Sequence, residues 1–361
     1  MIKSFFADKK WALWAYGGLL TLIISLVLQT QLNVMINDWY KSFYDLAQNA
    51  ADYSSYEDLL ACEKTAQISE QNKNEQNATL ACAQLKSAAQ SDKVLQFWEQ
   101  IFRFLSIAMP YVIIYTLTTF FASHWCFRWR EAMTFSYLSA WRACKNDIEG
   151  SSQRMQEDIY RFAKITESLG LAILRAIMTL VAFIPVLWTL SSGVDLPFIR
   201  DVNGSLVWIA LAVSLGGLVI SWFVGIKLPK LEYNIQKSEA AFRKELVFAE
   251  DDKLHFASPA AVLSLFTGVK LSFYRLFLHY GYFNIWLISF SQFMVIVPYM
   301  IMGVGLFSGA ITLGILVQVS NAFAQVRESF SVFINNWTTI NELRSIHKRL
   351  SEFEENIGYK G

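Results

Sequence analysis

Long apolar stretches separated by polar segments dominate the chain. Four of them have the length that crosses a bilayer as a helix, about 20 residues: Trp11–Leu28, Phe104–Phe127, Leu171–Leu190 and Gly204–Ile226. A longer stretch, Leu276–Val326, contains no Asp, Glu, Lys or Arg and could hold two spans joined by a tight turn. The glycines of Gly303–Gly309 would give that turn its backbone freedom. The pattern predicts an all-α integral membrane protein with six transmembrane helices, in which residues 1–361 form one transmembrane domain.

Composition agrees with a membrane location. Of the 361 residues, 54% are hydrophobic and 17% are charged, and the mean hydropathy is +0.32. The formal net charge is only +1, so the chain lacks the overall basic field that nucleic-acid binding requires. The sequence therefore predicts contact with the lipid bilayer and no nucleic-acid partner.

The distribution of Lys and Arg predicts the orientation. Basic residues cluster in 128–164, 227–275 and 327–360, whereas the 191–203 connection holds only Arg200. Because basic residues near span ends tend to stay cytoplasmic, we expect both termini in the cytoplasm, together with long cytoplasmic helical extensions. No small-residue cleavage site follows Trp11–Leu28, so we interpret that run as a retained helix rather than a cleaved signal peptide.

The connection between the first two spans would then lie outside the cytoplasm. Its middle is rich in Asn and Gln, and helix-compatible stretches on either side end in Ala61-Cys62 and Ala81-Cys82. We predict a periplasmic helical hairpin over 47–98, joined by a Cys62–Cys82 disulfide, which an oxidising compartment permits. The alternative is two free thiols.

Motifs for enzymatic chemistry are missing from the sequence. It has no Gly-x-x-x-x-Gly-Lys-[Ser/Thr] loop to cradle a nucleotide phosphate and no Gly-x-Ser-x-Gly. The four histidines lack a His-Glu-x-x-His or Cys-x-x-Cys arrangement. We therefore expect neither an enzyme nor a resident metal or cofactor.

A polar stripe runs along the sixth predicted span. Gln318, Asn321, Gln325 and Glu328 recur at helical spacing and define one face. Polar side chains in a membrane helix are costly unless they meet water or one another, so this face could line a substrate cavity. It could instead form a hydrogen-bonded seam between helices, or mark where the helix leaves the membrane.

Glutamates near the predicted cytoplasmic side form a second group. Glu232, Glu239 and Glu250 fall within about 20° of one another on a helix, and Glu157 and Glu167 precede the third span. Burial disfavours the charged form of a carboxylate, so such residues could take up and release protons. The alternative is ordinary pairing, as Glu157 could pair with Arg161 one turn away. For Arg175, inside the third span, we expect an ion pair or a cavity contact.

Several longer strings identify a family. They are Asn37–Tyr40, Phe43–Leu46, Phe120–His124, Phe127–Arg130, Arg154–Asp158, Val224–Pro229, Glu239–Val247, Glu250–Asp252 and Asn336–Thr339. Together they resemble the SbmA/BacA peptide-antibiotic transporters over about residues 11–350.

This resemblance implies a homodimer in the bacterial inner membrane with an ABC-exporter-like transmembrane fold and no nucleotide-binding domain. It implies import of peptides and peptide-like antibiotics, coupled to proton entry through Glu157, Glu167, Glu239 and Glu250. In one respect we expect the chain to depart from longer members of the family: it starts almost directly at the first core helix and lacks their extra N-terminal membrane segments. Glu232, Arg175 and the polar stripe of the sixth span would then line the cavity of an alternating-access importer.

Two other functions compete with peptide import. The chain could be the transmembrane half of an ABC-type transporter that uses a separate ATPase subunit for lipid, fatty-acyl or cobalamin-like cargo. It could also be an envelope scaffold whose outer hairpin binds a partner protein.

Overall fold

The computed structural model describes residues 1–50, 61, 75–144, 148, 150–191, 203–252 and 255–359. Within them the regular structure is entirely helical, which confirms the predicted all-α class. The helices are α1 Lys3–Phe6, α2 Gly18–Gln48, α3 Glu75–Ala143, α4 Ile159–Ser191, α5 Ser205–Gly225, α6 Leu228–Asp251, α7 Pro259–Phe307, α8 Leu313–Asn335 and α9 Trp337–Asn356. A π-helical turn, Leu13–Gly17, precedes α2, and a short helix, Ser151–Gln153, followed by a second π-helical turn, Arg154–Asp158, precedes α4.

Five helical segments of the described chain are long and apolar enough to cross a membrane. They are Leu13–Gln48, Cys82–Ala143, Ser151–Ser191, Ser205–Asp251 and Pro259–Phe307. The predicted count of six is therefore not confirmed. The helix at the position of the sixth span, α8, is present, but it is not among these five.

Helix α8 lies among other helices of the same chain. It packs against α2, α4, α5 and α7. Its side chains Val319, Ala322 and Val326 are fully buried, together with Phe183 and Leu187 of α4. We call this group, with the neighbouring Leu206, Ala210, Met294 and Phe323, the bundle core. Polar groups on a helix in this position can bond to neighbouring helices instead of facing lipid.

The turn before α8 lies slightly later than the sequence predicts. Helix α7 continues through Gly303 and Gly305 to Phe307, and α8 begins at Leu313. The reversal uses Gly309, whose φ of 75° lies in the left-handed region that favours glycine. The predicted Gly303–Gly309 turn therefore overlaps the observed one only at its end.

A second core joins segments that are far apart in sequence. Phe5 and Trp11 from the N-terminal segment pack with Trp129 and Tyr137 of α3 and with Phe353 of α9. The Phe5 and Trp129 rings stack with centroids 5.9 Å apart. We call this group, with the neighbouring Trp125, Phe162, Ile346 and Leu350, the aromatic core.

Helix α6 and residues 259–280 of α7 form an extension that we call the arm. Helix α6 packs mainly against α7, and no other described element makes comparable contact with it. Only Ile235 and Ala249 of α6 are buried. Ser238 and Ser272 link the two helices with their Oγ atoms 3.0 Å apart. The arm thus extends beyond the packed part of the chain.

The outer connection is described only in part. Helix α3 begins at Glu75 and runs without interruption through the second predicted span to Ala143. Lys93 of α3 donates a hydrogen bond to the carbonyl of Asn49 at 2.5 Å, which ties the two ends of the connection together. Cys62 lies outside the described residues, so the Cys62–Cys82 disulfide and the 47–98 hairpin stay predictions.

Candidate functional site

Glu167 is a buried carboxylate in α4. Its side chain is 6% exposed, and its Oε2 lies 3.0 Å from the Nζ of Lys164, whose side chain is 48% exposed. The two residues are one helical turn apart, so α4 itself holds the pair in place. The arrangement joins a desolvated acid to a cation that reaches solvent.

Glu157 is more exposed to solvent and lies at the start of the same helical segment. Arg161 contacts Glu157 Oε1 at 3.1 Å and reaches Glu342 of α9 at 3.4 Å. All three side chains are roughly half exposed. The ordinary pairing that the sequence allowed for Glu157 and Arg161 is thus present.

Asp158, which sequence reasoning missed, is the most enclosed acid of this region. Its side chain is 2% exposed and accepts a hydrogen bond from Arg154 at 2.6 Å and one from Arg349 at 2.7 Å. The Arg349 Nε donates a further hydrogen bond to the other carboxylate oxygen at 3.0 Å, so this pair is bidentate. The hydrogen bond to Asp158 raises the pKa of the Arg349 guanidinium, which keeps it charged. The cluster joins α9 to the start of α4.

The three glutamates of α6 differ in their surroundings. Glu239 and Glu250 are exposed on the arm. Glu232 is half-buried and accepts a hydrogen bond from the Tyr280 hydroxyl of α7 at 2.6 Å. In the residues that the structure describes, no hydrogen bond or ion pair connects these glutamates to Glu157 or Glu167. Within the described residues, the four glutamates expected to couple protons therefore share no direct contact.

The polar stripe of α8 is divided between two environments. Gln318 donates a hydrogen bond to Asp38 of α2 at 2.8 Å, and Asn321 donates one to the buried Asn37 at 2.8 Å. This half forms a hydrogen-bonded seam with α2, the alternative that the sequence left open. Gln325 is half-buried.

The last residue of the stripe borders an open cavity. Glu328 is 64% exposed and lies 3.7 Å from Arg327. Both residues line a cavity of about 240 Å³ with Ser214 and Ser291. The buried Ser214 hydroxyl has no protein partner among the described residues.

Arg175 bridges three helices. Its guanidinium donates a hydrogen bond to Gln29 of α2 at 3.3 Å and lies 4.9 Å from the centre of the Tyr115 ring of α3. Gln29 in turn donates to Thr118 at 2.9 Å. No carboxylate pairs with Arg175 among the described residues. The ion pair, one of the two arrangements expected for Arg175, is therefore not observed in this part of the chain.

A larger cavity of about 410 Å³ lies where α5, α7 and α8 meet the starts of α6 and α9. It is lined by five aromatic side chains and one carboxylate: Trp222, Tyr280, Phe283, Phe333, Trp337 and Glu232. We call it the aromatic cavity. Sequence reasoning assigned Glu232 to a cavity but missed the aromatic residues, because each could equally face lipid or a membrane surface.

Comparison with known proteins places this architecture in a family. The sequence profile of the SbmA/BacA-like family matches residues 8–68 and 79–358. The chain is 27% identical over 292 residues to the inner membrane ABC transporter ATP-binding protein YddA of Escherichia coli K12, covering 74% of this chain and 51% of that protein. It is 23% identical over 275 residues to ABC transporter D family member 2, chloroplastic, of Arabidopsis thaliana, covering 72% of this chain and 37% of that protein.

A third relative matches this chain over a similar length. An uncharacterized ABC transporter ATP-binding protein of Synechocystis, sll0182, is 23% identical over 280 residues, covering 72% of this chain and 40% of that protein. The chain thus spans about half or less of the length of these curated relatives. Most of its own length matches the family profile, and its long apolar helices fit a multi-pass membrane protein. The chain therefore belongs to the SbmA/BacA-like family.

Proposed function

We propose that the protein is a proton-driven importer of peptides and peptide-like antibiotics that works by alternating access as a homodimer. We place it in the bacterial inner membrane with both termini in the cytoplasm. The observation that carries the proposal is Glu167, a buried carboxylate in a membrane-crossing segment whose ion-pair partner, Lys164, is half exposed.

The surroundings of Glu167 suit a proton carrier. A buried charge is costly unless it is paired, and protonation removes that cost. If Lys164 turns away into solvent, Glu167 is left as an unpaired buried charge; if Lys164 returns, the ion pair forms again. A change in the packing of α4 would thus bind or release one proton.

The homodimer is supported by the arm. Outside the bundle core, the arm exposes large apolar side chains, including Leu263, Phe266, Leu271 and Tyr274. A patch of this kind on a transporter points to a protein interface. In a homodimer the arm of one protomer would contact the other and carry Glu239 and Glu250 towards it.

A cationic peptide suits the carboxylates that remain accessible. Glu239, Glu250 and Glu328 are exposed, and they would attract basic residues of a peptide. A proton that crosses a membrane potential of about 150 mV gains about 3.5 kcal/mol, enough for more than hundredfold accumulation per coupled proton.

The test is uptake of a fluorescent, cationic, proline-rich peptide into proteoliposomes that contain only this protein. We expect accumulation with an inward proton gradient and no nucleotide, and its loss when an uncoupler is added. Glu167→Gln should lower gradient-dependent accumulation by about a hundredfold, the value of one coupled proton. Glu250→Gln tests the arm in the same way.

The matched control is Glu352→Gln on α9, an exposed carboxylate paired only loosely with Lys348 at 3.9 Å. It should leave uptake unchanged. Uptake that keeps its full pH dependence in both Glu167→Gln and Glu250→Gln would remove these residues from the coupling role.

A second candidate function is the transmembrane half of an ABC-type transporter for lipid, fatty-acyl or cobalamin-like cargo. The names of the relatives favour it, since they are called ABC transporter ATP-binding proteins and this chain matches only part of each. Transport that requires ATP and a separate ATPase subunit, and that is indifferent to the proton gradient, would establish this function instead.

A further inference from the structure

The aromatic cavity has the composition of a site for organic cations. Its aromatic lining comes from four helices: Trp222 of α5, Tyr280 and Phe283 of α7, Phe333 of α8 and Trp337 of α9. The faces of aromatic rings carry negative potential and attract ammonium and guanidinium groups. Several rings around one cavity are the arrangement that holds such groups after they leave water.

The only acid that lines this cavity among the described residues is Glu232, and it has unused capacity for hydrogen bonds. Its Oε1 accepts from the Tyr280 hydroxyl at 2.6 Å. A carboxylate offers about four acceptor positions, and no second donor to Glu232 is found in the described part of the chain. An apolar ligand would displace water from this carboxylate without replacing its hydrogen bonds, whereas a cation would neutralise it.

Basic side chains of the same helices lie elsewhere. Lys227, Lys230 and Arg275 line a separate depression with His279. Arg327 borders the smaller neighbouring cavity, where it donates a hydrogen bond to Ser291 at 3.2 Å. No Lys or Arg of the described chain lines the aromatic cavity itself, so nothing there competes with an incoming cation.

Close packing of α5 against α7 fixes one wall. A Cβ atom at Gly225 would lie 3.0 Å from the Phe283 ring, so glycine lets that ring approach the α5 backbone. Deeper between the same helices, the Trp286 indole N–H donates to the Ser221 hydroxyl at 2.8 Å. Contacts between α5 and α7 therefore fix the position of the Phe283 ring in the cavity wall.

We propose that the aromatic cavity binds the basic head group of an organic cation, a guanidinium or a substituted ammonium, between its aromatic rings and the Glu232 carboxylate. The cation is either a basic side chain of a peptide or a small free organic cation. This inference rests on the proposed peptide import for its biological meaning, but binding can be measured without transport.

The test is calorimetric titration of the whole protein in phosphatidylcholine nanodiscs, without a proton gradient. The first probe is a tripeptide with a central arginine, and the second is the same peptide with citrulline, which keeps the shape and removes the charge. The third probe is benzyltrimethylammonium. We expect the arginine peptide to bind about tenfold more tightly than the citrulline peptide. Binding of benzyltrimethylammonium alone would support the site and assign it to small free cations.

Variants locate the binding in the cavity. Glu232→Gln keeps the acceptor for Tyr280 and should weaken cation binding about tenfold, and Phe333→Leu should weaken it severalfold. The matched controls are Glu352→Gln and Trp208→Leu; Trp208 is exposed on α5 and does not line the cavity. Both controls should bind as the native protein does.

Equal affinity of the native protein for the arginine and citrulline peptides, with no binding of benzyltrimethylammonium, would overturn the inference without any variant. Unchanged cation binding in Glu232→Gln would overturn it too. Failure of gradient-driven uptake with intact cation binding would instead reject the proposed transport function and leave the cation site standing.

Discussion

The aromatic core and the arm show two ways in which this chain uses apolar side chains. In the aromatic core, Phe5, Tyr137 and Phe353 come from three distant parts of the sequence and are almost completely buried. In the arm, two helices pack along one seam, while Leu263 and Leu271 remain 68% and 52% exposed. The apolar side chains of the aromatic core are buried by other parts of the same chain, whereas those of the arm are not.

The difference indicates where each region obtains its stability. Burial of a large side chain in a core contributes about 1.5–3 kcal/mol, and the aromatic core obtains this from its own chain. The arm has few such contacts and is expected to obtain them from a second copy. If the protein works by alternating access, as proposed, the arm and the aromatic core are two regions that we expect to move relative to each other.

The largest expected effect concerns the charged cluster beside the aromatic core. Asp158→Ala removes the carboxylate that both the Arg154 and the Arg349 guanidinium groups contact. Breaking a buried pair in this way costs about 3–5 kcal/mol. Thermal unfolding of the purified protein in nanodiscs should show a strong destabilisation, and Glu352→Gln should show none. A change below about 0.5 kcal/mol would mean that Asp158 does not hold α9 to α4.

The next prediction compares two glycine-to-alanine changes. A Cβ atom at Gly217 of α5 would lie 2.0 Å from the Phe290 ring, whereas one at Gly268 in the arm would meet nothing within 4 Å. Gly217→Ala should therefore destabilise the protein by about 1–3 kcal/mol through overpacking. Gly268→Ala should stabilise the arm by up to about 1 kcal/mol, because alanine favours the helix.

For both variants we measure the free energy of unfolding in denaturant and the oligomeric state. If Gly268→Ala destabilises only the dimer, the second copy packs directly on that face of the arm. If Gly217→Ala is neutral, the contact between α5 and α7 is more adaptable than the bundle core implies.

A charged residue in the arm tests its role as an interface. Leu263→Asp should weaken the homodimer about tenfold, about 1.4 kcal/mol, because it places a carboxylate in a contact that excludes water. The folded protomer should be unaffected, since Leu263 is already exposed. Native mass spectrometry over a dilution series measures the change. The control is Leu85→Asp, near the first residue of α3. Equal dimer dissociation in both variants would show that added charge alone is responsible.

The sequence predicts more of the architecture than of the contacts. Apolar length locates the helices, and the i, i+4 spacing of Glu157 and Arg161 anticipates their ion pair. The pairing of Asp158 with Arg349 joins residues 191 positions apart, and no local pattern encodes it. The same holds for Gln318, whose polarity is evident in the sequence although its partner, Asp38, is not.

The sixth span shows the same limit in another form. Apolar length detects helices that face lipid, and α8 faces other helices instead. The aromatic cavity combines residues from five helices, and no local sequence pattern distinguishes any of them from its neighbours. Periodicity therefore recovers single helices, whereas sites built between helices depend on packing that only the folded chain defines.

The smallest expected effect tests whether the arm is an independent unit. The Ser258 hydroxyl accepts a hydrogen bond from the Ala261 backbone N–H at 3.3 Å and caps the start of α7. Ser258→Ala should cost about 1 kcal/mol, the usual value of an N-cap. Hydrogen exchange should speed up in the first turns of α7 and stay unchanged in α9, because α6 and α7 make little contact with the aromatic core.

Ser258→Asp is the matched control, since aspartate also caps helices and should restore the native exchange pattern. Faster exchange that spreads from the arm to the amides around Phe353 would show one cooperative unit instead of two. The arm could then not move separately from the aromatic core, and the alternating-access movement would have to lie between whole protomers. Exchange confined to the arm would place that movement at the junction of α6 and α7 with the bundle core.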